Sequence, residues 1–306
     1  MPISEKMRER RRKYVGSSDI PCILGLSRFA NSADIWLYKT YQIDEDPSKL
    51  GEGSPADVGT YLEEGILQWG MDQISDDVYE GKVTVTKNQF RVLKGTNHSA
   101  NLDGVLSVDG SPTAVFEIKS TGNSDGWGKP MTAEIPDHVN AQVQWQMHIT
   151  KLDHAWIAAL CSNDFGGMTF ALYTVARDQG LIDSIVDIVN CFWEDYVQAG
   201  VMPEGQAPRL QTLKNVQRTP ETFEVEDEED FDALCRKHTA LQSEALAANK
   251  AVQESKALLL SRLYDKEGCR SAAYSLTYAT TTRKQYVVPA KEIHMFKLKA
   301  RKASNE

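Results

Sequence analysis

The stretch DGVLSVDGSPTAVFEIKST, residues 103–121, sets two acidic residues and a lysine into apolar, strand-like sequence. Its halves flank a turn-forming DGSP, which predicts a β-hairpin. Strand alternation within FEIK puts Glu117 and Lys119 on one face and Phe116 and Ile118 on the other. The hairpin returns Asp103 to the strand end that carries Glu117, with the register open by one residue. Two carboxylates beside a backbone carbonyl make a hard oxygen site suited to magnesium or manganese. A neighbouring lysine can orient water, help deprotonate it and balance developing negative charge, which suits metal-assisted attack on a phosphodiester. The competing reading of an E-x-K strand is a solvated face with a surface ion pair worth about 0–1 kcal/mol.

Upstream of the hairpin, GSSDIPCILGLS opens with residues of the helix-capping kind, Ser17, Ser18 and Asp19. A short helix is expected over SADIWLYKTY with Ser32 as its cap. A longer one follows over SPADVGTYLEEGILQWGMDQI, with Val58, Leu62, Ile66 and Trp69 or Gly70 at helical spacing. Strands are predicted at VYEGKVTVT, QFRVLK, ANLDGVLSV and TAVFEIKS. Downstream, DHVNAQVQWQMHIT reads as a helix with Val139, Val143, Met147 and Thr150 along one side. Two strands, HAWIAALC and GMTFALYTV, and the helix DQGLIDSIVDIVNCFWEDYVQAG complete a mixed α/β core in which helices cover a central sheet. The expected divisions are a core over 1–205, a proline-containing linker or arm over 206–229 and a C-terminal extension over 230–306. That extension begins with a long helix whose Phe231, Leu234, Leu241, Ala245, Ala248, Val252 and Leu259 recur at about 3.5 residues, and ends in strand-like sequence.

The 306 residues, 41% hydrophobic and 25% charged, have the make-up of a globular protein, with no apolar run of bilayer-spanning length. The N-terminus is basic but lacks a signal peptide's apolar segment, and none of the five scattered cysteines forms a C-x-x-C pair. Cytoplasmic residence, no zinc ribbon and no cysteine-held iron–sulfur cluster are expected. The net charge of −9 argues against a simple nucleic-acid coat, while local basic runs leave room for a nuclease. No G-x-x-x-x-G-K-[ST] motif is present, so no ATP dependence is expected. His98 is expected in a surface loop, with a place facing the site as the alternative. Trp127 is expected in the loop after the E-x-K strand, either packing over the sheet or stacking on bases.

Taken in order, GSSD…LGLS, GTYLEE, NLDG, FEIKST and AQVQWQM resemble the phage λ-exonuclease and YqaJ viral-recombinase group of PD-(D/E)xK nucleases. The resemblance runs from about Arg10 to about Val175. It implies a restriction-endonuclease-like core, with a central mixed sheet flanked by helices, and a C-terminal helical extension. It also implies metal ligands at Asp103, Glu117 and the Ile118 backbone carbonyl, a catalytic lysine at Lys119, and a helix glutamate at Glu63, direct or through water, with Glu64 as the alternative. Gln142 matches the family's glutamine, Gln146 lies one turn on along the same side, and Gln144 points elsewhere. Ser18 and Arg11, with Arg12 as competitor, match the residues that hold a terminal 5′-phosphate.

The activity implied is a magnesium-dependent exonuclease, with manganese an alternative and two ions per site. It would degrade linear double-stranded DNA from its 5′ end and leave 3′ single strands for a single-strand annealing protein. Phage or prophage origin in a bacterial host and a trimeric homo-oligomer are implied too. The alternatives are a related nuclease of different polarity and an end-binding protein with weak catalysis. The sequence departs from the family in having LDG where PDG is common, and in a C-terminal region that matches less clearly.

Overall fold

The computed structural model describes residues 5–41, 55–162, 167–216 and 218–279, and divides into two compact units, Met1–Arg218 and Thr219–Glu306. In the first unit, α1 (Glu5–Lys13), α2 (Ile20–Ile23), α3 (Ser32–Thr40) and α4 (Pro55–Asp77) precede β1 (Val83–Val92), β2 (Ser99–Val108) and β3 (Ser111–Thr121). Then come α5 (Asp137–Thr150), β4 (His154–Ser162), β5 (Met168–Ala176), α6 (Gln179–Cys191) running on as a π-helical stretch Phe192–Gln198, and α7 (Leu210–Lys214). The five strands lie in chain order. All neighbours are antiparallel except β3 and β4, which α5 connects as a crossover. This is the mixed sheet flanked by helices that the element order predicts.

Each face of the sheet buries one helix. Ile66, Leu67 and Ile74 of α4 pack on Leu106, Phe116, Trp156 and Ala158. On the other face Val139, Val143 and Met147 of α5 join Val105, Val115, Ala155 and Ile157. A Cβ at Gly70 of α4 would stand 2.8 Å from the Ala158 Cβ and 2.9 Å from the Phe116 ring, so glycine sets how near α4 lies to the sheet.

The hairpin turns at Asp109 and Gly110, both at positive φ, in the manner of a type I′ turn. Leu106 pairs with Ala114 but Ser107 with Pro112, so Thr113 is an extra residue in β3. This bulge sets Gly104 opposite Phe116 and therefore Asp103 level with Glu117. Without it Asp103 would stand level with Phe116. Gly104 is dictated by packing: a Cβ there would lie 2.6 Å from Val85 Cγ1.

Several local expectations change. VYEGKVTVT and QFRVLK contribute to one strand, β1, which Asn88 (φ 52°) interrupts without ending. The cap of α3 is Asn31, which forms a capping box with Asp34, while the Ser32 hydroxyl donates to Gln206 (3.0 Å). Val58 is exposed. Part of the expected linker is docked: the Arg209 amide donates to Asp34 (2.7 Å), the Asn31 amide group donates to the Ala207 carbonyl (3.0 Å), and Thr212 is buried.

In the second unit α8 (Glu228–Ser261) is capped by Asp227 and opens with three acidic residues that suit its N-terminal dipole. Its apolar repeat is exposed, with none of its side chains buried, and β6 (Gly268–Arg270) pairs with β7 (Ser275–Thr277). The rest of the expected terminal strand and the basic C-terminal stretch lie outside the described residues. Among the described residues, no helix is long and apolar enough to cross a membrane.

Gly70→Val forces a branched side chain against Ala158 and Phe116, and is expected to cost about 1–3 kcal/mol. Urea unfolding checks this through a lower midpoint at unchanged slope; wild-type stability would contradict the close approach.

Candidate active site

The backbone pairing of β2 with β3 ends at Gly104 and Phe116, whereas β3 stays paired with β4 through Thr121. The two strands fork where the acidic residues stand. At the fork the Ile118 amide, deprived of a strand partner on that side, donates to Asp103 Oδ2 (2.9 Å). Across from Asp103 on the other neighbour, β1, stands Asn88 in the left-handed region, a conformation that asparagine tolerates better than most residues.

Glu117, beyond the fork, is buried, and both its oxygens are engaged. Oε1 accepts from Lys119 Nζ (2.5 Å) and Gln142 Nε2 (2.7 Å), and Oε2 accepts from Gln146 Nε2 (2.7 Å). Lys119 also donates to Gln142 Oε1 (3.0 Å). One turn of α5 separates the two glutamines, so both reach one carboxylate while Val139, Val143 and Met147 bury the helix. Gln144 points away, donating to the Ala176 carbonyl (2.9 Å) and accepting from the Asp178 amide (2.9 Å). Gln146 was not among the residues assigned to the site from sequence, although its spacing from Gln142 carried the signal. Its Oε1 is buried with no hydrogen-bond partner.

Burial, reinforced by the charge of Glu117, pushes the Asp103 carboxyl up to about 8 from an ordinary 3.8, against the pull of Lys119 and the Ile118 amide. Glu63 is raised by partial burial and then by Glu117, with Lys119 opposing. Burial alone would lower the pKa of Lys119, but Glu117, Asp103 and Glu63 outweigh it and the net shift is upward. Glu64 instead pairs with Lys87 of β1 at 2.6 Å, both exposed. It is Glu63, rather than Glu64, whose charge is felt at Asp103 and Lys119.

Three carboxylates thus face one ammonium. Beside them is a cavity of about 50 Å³ lined by Glu63, Glu64, Lys87, Asn88, Asp103 and Ile118. Among the described residues no three acidic, histidine or cysteine side chains already converge as a metal cage. The donor chemistry nonetheless fits a hard divalent cation, whose charge would offset both the burial and the neighbouring Glu117 charge that raise Asp103. The oxygens that fit it are those of Asp103, Glu117 and Glu63 with the Ile118 carbonyl.

The segment expected to hold a phosphate runs alongside. Val15 makes a parallel bridge to His98, its amide donating to the Asn97 carbonyl (2.7 Å) and its carbonyl accepting from the Ser99 amide (2.8 Å). The Ser17 hydroxyl reaches the Asn101 carbonyl (3.4 Å), two residues before Asp103, and Ser18 is exposed. α2 has only four residues, and Asp19 at its N-cap makes no side-chain cap. Asp19 Oδ2 accepts from the Gly16 amide (2.9 Å) and from Lys39 (2.7 Å) instead.

Two other expectations also resolve. His98 is a buried histidine bonded to His148 (3.3 Å) and Asn190 (2.9 Å), and burial lowers its pKa; it is not in a surface loop. Trp127 packs, partly buried, with its ring 5.0 Å from that of Tyr173.

Residues 6–153 match the model of the YqaJ-like viral recombinase domain. That is the family expected from its motifs, and the stretch matched takes in both Asp103 and Gln142. YqaJ of Bacillus subtilis (strain 168) is 28% identical over 210 residues, which are 67% of this chain and 60% of that relative's length. Among solved structures, the alkaline exonuclease LHK-Exo from Laribacter hongkongensis is similar with a TM-score of 0.46 and 17% identity, over 64% of this chain and 94% of its own. A phage related exonuclease from Haemophilus somnus 129PT has a TM-score of 0.39 and 16% identity, over 63% and 97%.

The raised Asp103 carboxyl links its protonation to folding stability. An acid with a raised folded-state pKa adds stability below its unfolded value and loses it as pH climbs towards the folded value, here from 3.8 to about 8. Asp103→Asn keeps an acceptor for the Ile118 amide without the charge. In EDTA at about pH 9 it is expected to melt at least about 2 °C above wild type, and at about pH 4 to match it. A lower melting temperature at the higher pH would contradict the electrostatics described.

Proposed function

We propose that this protein is a magnesium-dependent exonuclease that degrades linear double-stranded DNA from its 5′ end. The observation that carries the reading is the fork itself: Lys119 bonded to both Glu117 and Gln142, one strand away from Asp103 and beside Glu63. Neither burial nor folding calls for this cluster, since burying unbalanced charge costs stability. A hydrolytic site calls for all of it.

In this reading Asp103, Glu117 and the Ile118 carbonyl hold the cation, and Glu63 completes the set directly or through water. When bound, magnesium, or manganese in its place, would supply Lewis acidity and lower the pKa of water, with two ions per site. The carboxylates keep Lys119 protonated, so its ammonium orients the attacking water and offsets the charge that develops on the phosphoryl oxygens. Lys119 is 25% exposed, leaving the ammonium within reach of substrate. Gln142 ties Lys119 to Glu117, and Gln146 locks the second oxygen of Glu117, so the carboxylate does not have to reorganise during reaction.

Arg11, Arg12 and Ser18 hold the 5′-phosphate of the strand being degraded, which sets the polarity. The product is a 3′ single strand, which would be taken up by a single-strand annealing protein in phage-type recombination. A trimeric ring would make digestion processive. Phosphate contacts dominate such binding, so affinity should fall steeply with salt.

End-labelled linear duplexes, with and without a 5′-phosphate, test this in magnesium and in EDTA. Wild type is expected to release nucleotides from phosphorylated 5′ ends only with magnesium, and Lys119→Ala to be slower by at least about 10²-fold. Release from 3′ ends or nicking of closed circles would contradict the polarity. Absence of cleavage with DNA ends still bound would leave an end-binding protein.

A further inference from the structure

Lys39 is the least expected charge in the first unit. Its side chain is completely buried at the end of α3, in a helix whose other buried residues are mostly apolar. An ammonium has three N–H donors, and here each has an acceptor. They are the carbonyl of Arg11 (2.5 Å), the carbonyl of Tyr14 (2.6 Å) and Asp19 Oδ2 (2.7 Å). All three belong to the nine residues that include Arg11, Arg12 and Ser18.

The support behind Lys39 is rigid. α3 is held by its capping box, by the Trp36 indole donating to the Tyr196 carbonyl (3.0 Å), and by the Asp34 carboxylate on the Arg209 amide (2.7 Å). The other side of the segment is fastened to the strand that carries Asp103, through Val15 to residues 97–99 and Ser17 to Asn101. Residues 11–19 are therefore clamped between α3 and the start of β2, and Lys39 provides the clamp on the α3 side. Lys39 also neutralises Asp19, the residue after Ser18, whose carboxylate would otherwise repel an incoming phosphate.

We propose that Lys39 is a positioning residue for recognition of the terminal 5′-phosphate, holding the backbone of Arg11–Asp19 so that Arg11 and Ser18 meet the phosphate at a fixed distance from Asp103. This rests on the phosphate-binding role assigned above to Arg11 and Ser18. Lys39 itself touches neither DNA nor the reacting atoms. Its effect is on discrimination between chain ends rather than on hydrolysis.

Lys39→Met leaves the partly buried Asp19 without its counter-charge and risks unfolding. The double variant Lys39→Met/Asp19→Asn removes both charges, and with them any repulsion, but not the need for a clamp. Binding of fluorescent duplexes ending in a 5′-phosphate or a 5′-hydroxyl is measured in EDTA by anisotropy, with near-ultraviolet circular dichroism to confirm that each variant is folded. Wild type is expected to prefer phosphorylated ends by about tenfold or more, as a charge-assisted contact allows. The folded double variant is expected to bind hydroxyl ends as wild type does, with its preference reduced to within about twofold of unity. A folded double variant that keeps the wild-type preference would overturn the proposal, as would a wild type with no preference. Because no cleavage is involved, failure of the exonuclease reading would show separately, as intact phosphate preference without magnesium-dependent release.

Discussion

The hydrogen bond from the Ile118 amide to the Asp103 carboxylate is what permits β2 to leave β3. A strand that parts from its neighbour strands a buried donor, which costs free energy unless another acceptor takes it. Asp103 supplies that acceptor from the departing strand itself. The fork therefore stays open, and beyond it Glu117 and Lys119, still paired with β4, present their side chains to α5. Two features upstream make the geometry work. Thr113 adds the residue that brings Asp103 level with Glu117, and Gly104 lets Val85 and Phe116 close beneath it.

What the fork gathers is unfavourable by itself. Asp103 is protonated more readily than an ordinary carboxyl because it is buried next to Glu117, and Glu63 is pushed the same way. The surrounding structure absorbs this cost through packing on both faces of the sheet, with Val143 and Met147 of α5 on one side and Ile66 and Gly70 of α4 on the other. From that framework Gln142 and Gln146 hold Glu117 by both oxygens. Stability is lost at one point so that charges stand where a cation and a phosphodiester would balance them.

Much of this was legible in the sequence because it depends on local periodicity. The Asp109–Gly110 turn, the two faces of FEIK and the buried side of α5 follow from turn chemistry and from periods of 2 and 3.6 residues. The features that were not legible each depend on a distant partner. A one-residue bulge at Thr113 leaves no mark on composition, so the register stayed open. Glu63 and Glu64 are equivalent until Lys87 of β1 takes Glu64. SADIWLYKTY shows no partner for Lys39, which is buried because the carbonyls of Arg11 and Tyr14 with Asp19 take its three N–H donors. The burial of His98 likewise depends on His148 and Asn190, 50 and 92 residues away in the chain.

The most direct test of the central claim is manganese binding to the metal-free protein, followed by electron paramagnetic resonance at neutral pH in wild type, Asp103→Asn and Glu117→Gln. If the fork is a cation site, wild type binds manganese and each variant, still folded by circular dichroism, loses at least about tenfold in affinity. Undiminished binding in both variants would contradict the assignment of Asp103 and Glu117 as the residues that hold the metal.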